Sequence, residues 1–91
     1  MDVIILDGDK FRTLDSLHKI LKERLDLPDY YGENLNALWD CLTGWIERPV
    51  TIIWRDFEKS KSYLGYNADE VLEVFKEAQD ELGDLIIKVE L

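Results

Sequence analysis

Asn36, Asp40 and Thr43 fall at i, i+4 and i+7, a spacing that puts three polar groups on one face of a helix. Leu35, Leu38 and Leu42 recur on the opposite face. Tyr30 and Tyr31 lie in the segment just before, and Trp39, Trp45 and Glu47 flank the stripe. A carboxylate set among large aromatics has the composition of an interface: the rings supply contact area and the charge supplies orientation. The same rings could complete a small core, and Trp45 reads equally well either way. At least one tyrosine of this Gly-containing loop is expected to be exposed.

Catalytic chemistry finds less support. Asp40 with Glu33 or Glu77 could in principle share acid–base work. However, the chain has one histidine, His18, beside a leucine stripe and close to Lys19 and Lys22, where it reads as a helix-edge residue. There is no Gly-rich phosphate loop. Cys41 is the only cysteine, which rules out a disulfide framework and leaves almost no route to a cysteine-based zinc site. With apolar neighbours, it is expected to be a small buried hydrophobe. Asp7-Gly8-Asp9 lacks the other ligands of an EF-hand loop and reads as a turn. The chain is read as a non-enzyme, with no catalytic residue, metal or cofactor.

Charge narrows the choice of partner. The 91 residues carry 20 Asp+Glu against 11 Lys+Arg, a net charge of −9. Phosphate affinity is built from Lys and Arg, so nucleic acid and anionic membranes are poor partners for this chain, whereas a basic protein is a good one. The excess is uneven. Residues 1–24 are neutral, residues 25–47 hold five acids and no base, residues 48–63 are net +2, and residues 64–91 are net −6. Glu73, Glu77 and Glu81 repeat at four-residue spacing, which opposes helix formation by roughly 0.2–0.5 kcal/mol per pair. Lys76 is expected to offset part of this through Glu73 and Asp80. That row is either a solvated helix face or a negative patch awaiting a positive one.

These residues need a scaffold. The length fits one domain, residues 1–91, too small for a cleft between domains, and 46% apolar residues are too many for disorder. Val3-Ile4-Ile5-Leu6 reads as a strand buried on both faces, ending at the Asp7-Gly8-Asp9 turn. Leu14, Leu17, Leu21 and Leu25 predict a helix with Thr13 as N-cap, its pattern ended by Pro28. Asn34 predicts the N-cap of a second helix reaching Gly44. Val50 to Trp54 follows as a strand, and Asp56 to Ser62 as a short helix. Tyr63 to Tyr66 reads as a loop, and Asn67 with Glu70 as a capping box. Val71, Leu72, Phe75, Ala78 and Leu82 form the inward face of a further helix closed by Gly83, and Leu85 to Glu90 is the last strand. Strand, two helices, strand, two helices, strand predicts an α/β domain with a three-stranded parallel sheet. No leader-like or membrane-spanning run is present, so a cytoplasmic location is expected, and nothing requires self-association of the free protein.

The segment from Leu27 to Trp45, LPDYYGENLNALWDCLTGW, closely resembles the hallmark segment of the barstar family, intracellular inhibitors of barnase-type ribonucleases. The likeness continues through Trp54-Arg55-Asp56-Phe57-Glu58 and residues 71–78 and covers nearly the whole chain. It implies a three-stranded parallel sheet with helices packed on it, and a one-to-one complex with a basic ribonuclease. By that resemblance, Asp40 enters the nuclease active site to meet arginines and a catalytic histidine, and Tyr30 packs against that histidine. Gly32, Asn34, Trp39, Thr43, Gly44 and Trp45 match contact or contact-adjacent positions, and Glu77 and Glu81 match the acidic patch edge. Tyr31, Asn36 and Glu47 complete the expected nuclease-binding set. Asn36 departs from the family, which has an aspartate there. An acidic module for another basic protein, such as a different nuclease toxin, is the alternative.

Overall fold

The computed structural model describes residues 2–91. Its elements are β1 (Asp2–Asp7), α1 (Leu14–Arg24), α2 (Leu35–Gly44), β2 (Val50–Arg55), α3 (Phe57–Leu64), α4 (Tyr66–Leu82) and β3 (Leu85–Val89). The strands form one parallel sheet in the order β1-β2-β3, as the alternation of strands and helix pairs predicts. The chain is an α/β globule.

Register explains which strand is buried. Leu6 pairs with Trp54, and Trp54 with Val89; Ile4, Ile52 and Ile87 make the next row. Side chains alternate along a strand, so these rows share one face. Val50, Ile52 and Trp54 on the central strand are buried there, with Leu6 and Leu85 beside them. β1 is therefore not buried on both faces as its apolar run predicts. It is an edge strand, and Val3, on the other face, is 57% exposed. The fully covered strand is β2, which has a neighbour on each side.

Trp54 organises the core. Phe57, Phe11 and Phe75 meet its ring edge-on at centroid distances of 4.9, 6.1 and 6.5 Å. Its indole N–H donates to the buried Ser60 hydroxyl at 3.0 Å, and that hydroxyl donates to the Gly8 carbonyl at 3.0 Å. The Gly8 N–H in turn donates to the Arg55 carbonyl at 2.8 Å. A β-carbon at Gly8 would collide with Arg55 O and Ser60 Oγ, so only glycine fits the turn after β1.

The helix ends follow the sequence in α1 and α2. Thr13 and Ser16 cap each other reciprocally, and Asn34 Oδ1 accepts from the Ala37 N–H at 2.8 Å. α4 differs from expectation. The Asn67–Glu70 capping box does not form, because the helix already begins at Tyr66 and no side chain caps it. Nor is Tyr63 to Tyr66 a loop. Gly65, at φ 62° and ψ −139°, is the whole connection. Glycine readily adopts that backbone, so one residue reverses the chain and both flanking helices run up to it. No helix among the described residues is long and apolar enough to cross a membrane.

Candidate functional site

The loop between α1 and α2 is held from below. Tyr31 is buried, and its hydroxyl meets His18 Nδ1 at 2.7 Å. His18 is also buried, so its reading as a helix-edge residue is wrong. The signal was present: His18 follows Leu14 by four residues and precedes Leu21 by three, which places it on the leucine stripe itself. Burial lowers the pKa of His18, against the opposing pull of Glu33 and Asp15, so the neutral imidazole is favoured. Burial raises the Tyr31 pKa, and its phenol stays protonated.

With Tyr31 turned inward, Tyr30 turns out and is 80% exposed, so one tyrosine of the pair is exposed as expected. Its ring stands edge-on against Trp45 at 6.2 Å. Trp45 is 49% exposed, and its indole N–H donates to the Asp26 carbonyl at 2.9 Å. The balanced reading of Trp45 thus has a physical basis: one edge is fixed to the fold and the rest faces solvent. Asn34 does structural work on both sides, capping α2 and donating to the Gly32 carbonyl at 3.2 Å.

On α2, Asn36 and Asp40 are exposed, and Trp39 is half-buried against the core. Thr43 is half-buried, and its hydroxyl donates to the Trp39 carbonyl at 2.8 Å. Gly44 is exposed, with open space where a β-carbon would point, and Glu47 is exposed just beyond the helix. Cys41 is buried, as expected of a small hydrophobe, and burial with the Asp40 charge beside it raises its pKa, which favours an unreactive thiol. Asp40 lies a turn from the C-terminal end of α2, where the helix dipole disfavours negative charge, and no basic residue sits in that last turn.

α4 packs against α2 and carries Glu77 and Glu81, both exposed. Among the described residues, Glu77, Glu81 and Asp40 have no ion-pair partner, and Lys76 pairs with neither Glu73 nor Asp80, contrary to expectation. Asp7-Gly8-Asp9 is a turn: the Lys10 N–H donates to the Asp7 carbonyl at 2.9 Å, and Asp9 receives the Tyr63 hydroxyl at 3.0 Å. Among the described residues no cluster of His, Cys, Asp and Glu could hold a metal ion.

What this surface offers is an exposed carboxylate without a cation among the described residues, on a helix that the exposed Tyr30 precedes and the exposed Trp45 follows in the chain, and that packs against the acidic α4. It can receive a basic group. Residues 1–90 match the family model described as Barstar (barnase inhibitor). The chain is also 56% identical over 84 residues to a protein of Bacillus subtilis (strain 168) named "Putative ribonuclease inhibitor YrdF", an alignment covering 92% of each.

Proposed function

This chain belongs to the barstar family, and from that premise we propose that it inhibits a barnase-type ribonuclease by filling its active site. The observation that carries the reading is Asp40, an exposed carboxylate with no ion-pair partner among the described residues, on a helix that the exposed rings of Tyr30 and Trp45 precede and follow in the chain. A ribonuclease must display basic groups to hold RNA phosphates. A carboxylate delivered to that place takes the position of a phosphate and forms charge-assisted hydrogen bonds with arginine and a protonated histidine. Tyr30 and Trp45 add contact area, and Glu77 and Glu81 steer the approach.

In this reading the protein is a one-to-one plug, a single inhibitor domain without catalysis or cofactor, acting in the cytoplasm to protect the producing cell. Asn36 favours a second target class. It is neutral where the family has an aspartate, so a partner without an arginine opposite it loses nothing here. Titrating purified barnase with the chain while following RNA cleavage tests the proposal. Stoichiometric loss of cleavage is expected. Undiminished cleavage at excess inhibitor, with a different basic nuclease recovered as the bound partner, would replace this reading by the second.

A further inference from the structure

The strand order β1-β2-β3, with crossovers of one hand, puts the helices on the same side of the sheet. The opposite side has no layer upon it. Its rows are Val3–Thr51–Ile86 and Ile5–Ile53–Lys88, with Asp7–Arg55 beyond them. Val3, Ile5, Ile53 and Ile86 stand outside the hydrophobic core, whereas Ile4, Ile52 and Ile87 on the helix side belong to it or pack against it. Val3 is 57% and Ile86 37% exposed. The charges on this face cancel. Arg55 pairs with Glu90 at 3.3 Å, and Lys88 and Asp7 have no ion-pair partner among the described residues.

The carboxylates that give the chain its net charge of −9 lie mainly in the loop, α2 and α4, in the other layer. A second copy of the chain therefore meets the least repulsion at the uncovered sheet face. The sheet edges invite it less. Gln79 Oε1 takes the Ile87 N–H at 2.9 Å, which closes β3, and Asp2 and Asp7 bracket β1. We propose that two copies stack by these faces about a two-fold axis parallel to the strands, with β1 of each over β3 of the other. Val3 then meets Ile86 of the other copy, and Ile53 meets its own counterpart. The stem of Lys88 lies along Ile5 of the other copy, and its ammonium reaches Asp7 there. Three strands about 4.8 Å apart and about 17 Å long cover only roughly 250 Å² in projection. The dimer thus belongs with small, reversible contacts. Asp40 lies on α2, in the helix layer, so both copies keep it free.

Sedimentation equilibrium of the full chain, loaded up to about 1 mM in low and high salt, tests this. The apparent mass is expected to climb from monomer toward dimer with concentration. It should climb further at high salt, where repulsion between two acidic chains is screened. Val3→Lys/Ile86→Lys is expected to weaken the dimer at least tenfold, and Lys88→Glu several-fold. The substituted side chains face solvent, and urea midpoints close to the parent's verify the fold. Tyr30→Ala, on the helix side, should dimerise like the parent. A parent chain that stays monomeric at both salts overturns the proposal. So does a dimer that survives Val3→Lys/Ile86→Lys, or one that Tyr30→Ala dissociates. None of these results bears on the inhibitor reading, which RNA cleavage tests separately.

Discussion

Two regions of the molecule treat charge in opposite ways. Every base of residues 48–63 is paired: Arg48 with Asp84, Arg55 with Glu90, Lys59 with Asp9 and Lys61 with Asp69, at 3.1–3.9 Å. Arg12 stacks over Tyr63 in the same region. Across the loop and α2, by contrast, Asp26, Asp29, Glu33, Asp40 and Glu47 have no ion-pair partner among the described residues, and neither have Glu70, Glu73, Glu77, Asp80 and Glu81 on α4. The bases of residues 48–63 are taken by Asp9, Asp69, Asp84 and Glu90, so none is left beside the loop, α2 or the rest of α4, where the carboxylates stay uncompensated. Exposed pairs add little stability, so the pairing matters chiefly for where the field points.

The comparison can be broken from either side. The largest effect is expected at Asp40. Asp40→Ala removes an exposed carboxylate that the end of α2 disfavours, so stability to urea should hold or rise slightly, while inhibition of barnase weakens by on the order of 2 kcal/mol or more. Equal inhibition by this variant would mean that the unpaired region is not the binding face.

Ser60→Ala attacks the other region. It leaves the buried indole N–H of Trp54 without its acceptor, at a cost of about 1–3 kcal/mol in urea unfolding. Inhibitory stoichiometry should stay unchanged while the protein remains folded.

The third effect is on stability against pH. Burial holds the folded pKa of His18 below its ordinary 6.5, so the unfolded chain binds the proton more readily. Stability from this group is complete above the unfolded pKa and is lost as pH falls from about 6.5 through the folded value. Urea midpoints between pH 7 and 5 should fall, and His18→Gln should flatten that part of the profile. An identical slope in both proteins would rule out His18 as its source.

The smallest effects distinguish the two kinds of surface charge. Lys59→Ala should change stability by about 0.5 kcal/mol or less and leave association with barnase alone. Glu81→Ala should change stability as little, yet slow association and lessen its dependence on salt. Equal association rates for these two variants would erase the contrast between the regions.

The sequence by itself determined the element order, the parallel sheet, the caps of α1 and α2 and the polar stripe of α2. The caps and the stripe are local: a capping side chain reaches only three residues, and helical spacing repeats within a few turns. The parallel sense of the sheet follows from the order of elements, since helices between strands carry the chain back to run in the same direction. The hallmark segment also carried the family, because its residues are contiguous. The buried place of His18 was legible in its spacing on the leucine stripe, but its partner was not, since Tyr31 is 13 residues away and reaches it only when the loop folds back. Nor could an apolar run tell an edge strand from a central one, because β1 and β2 share that composition and sheet order alone separates them. Gly65 likewise needed its φ to show that one residue could join two helices. The pairing of charges was decided only by the tertiary fold. Lys59 and Asp9 lie 50 positions apart in the chain, and their contact depends on β1 and α3 being brought together. Composition counts charges without positions, and position determines which carboxylates are left for a partner.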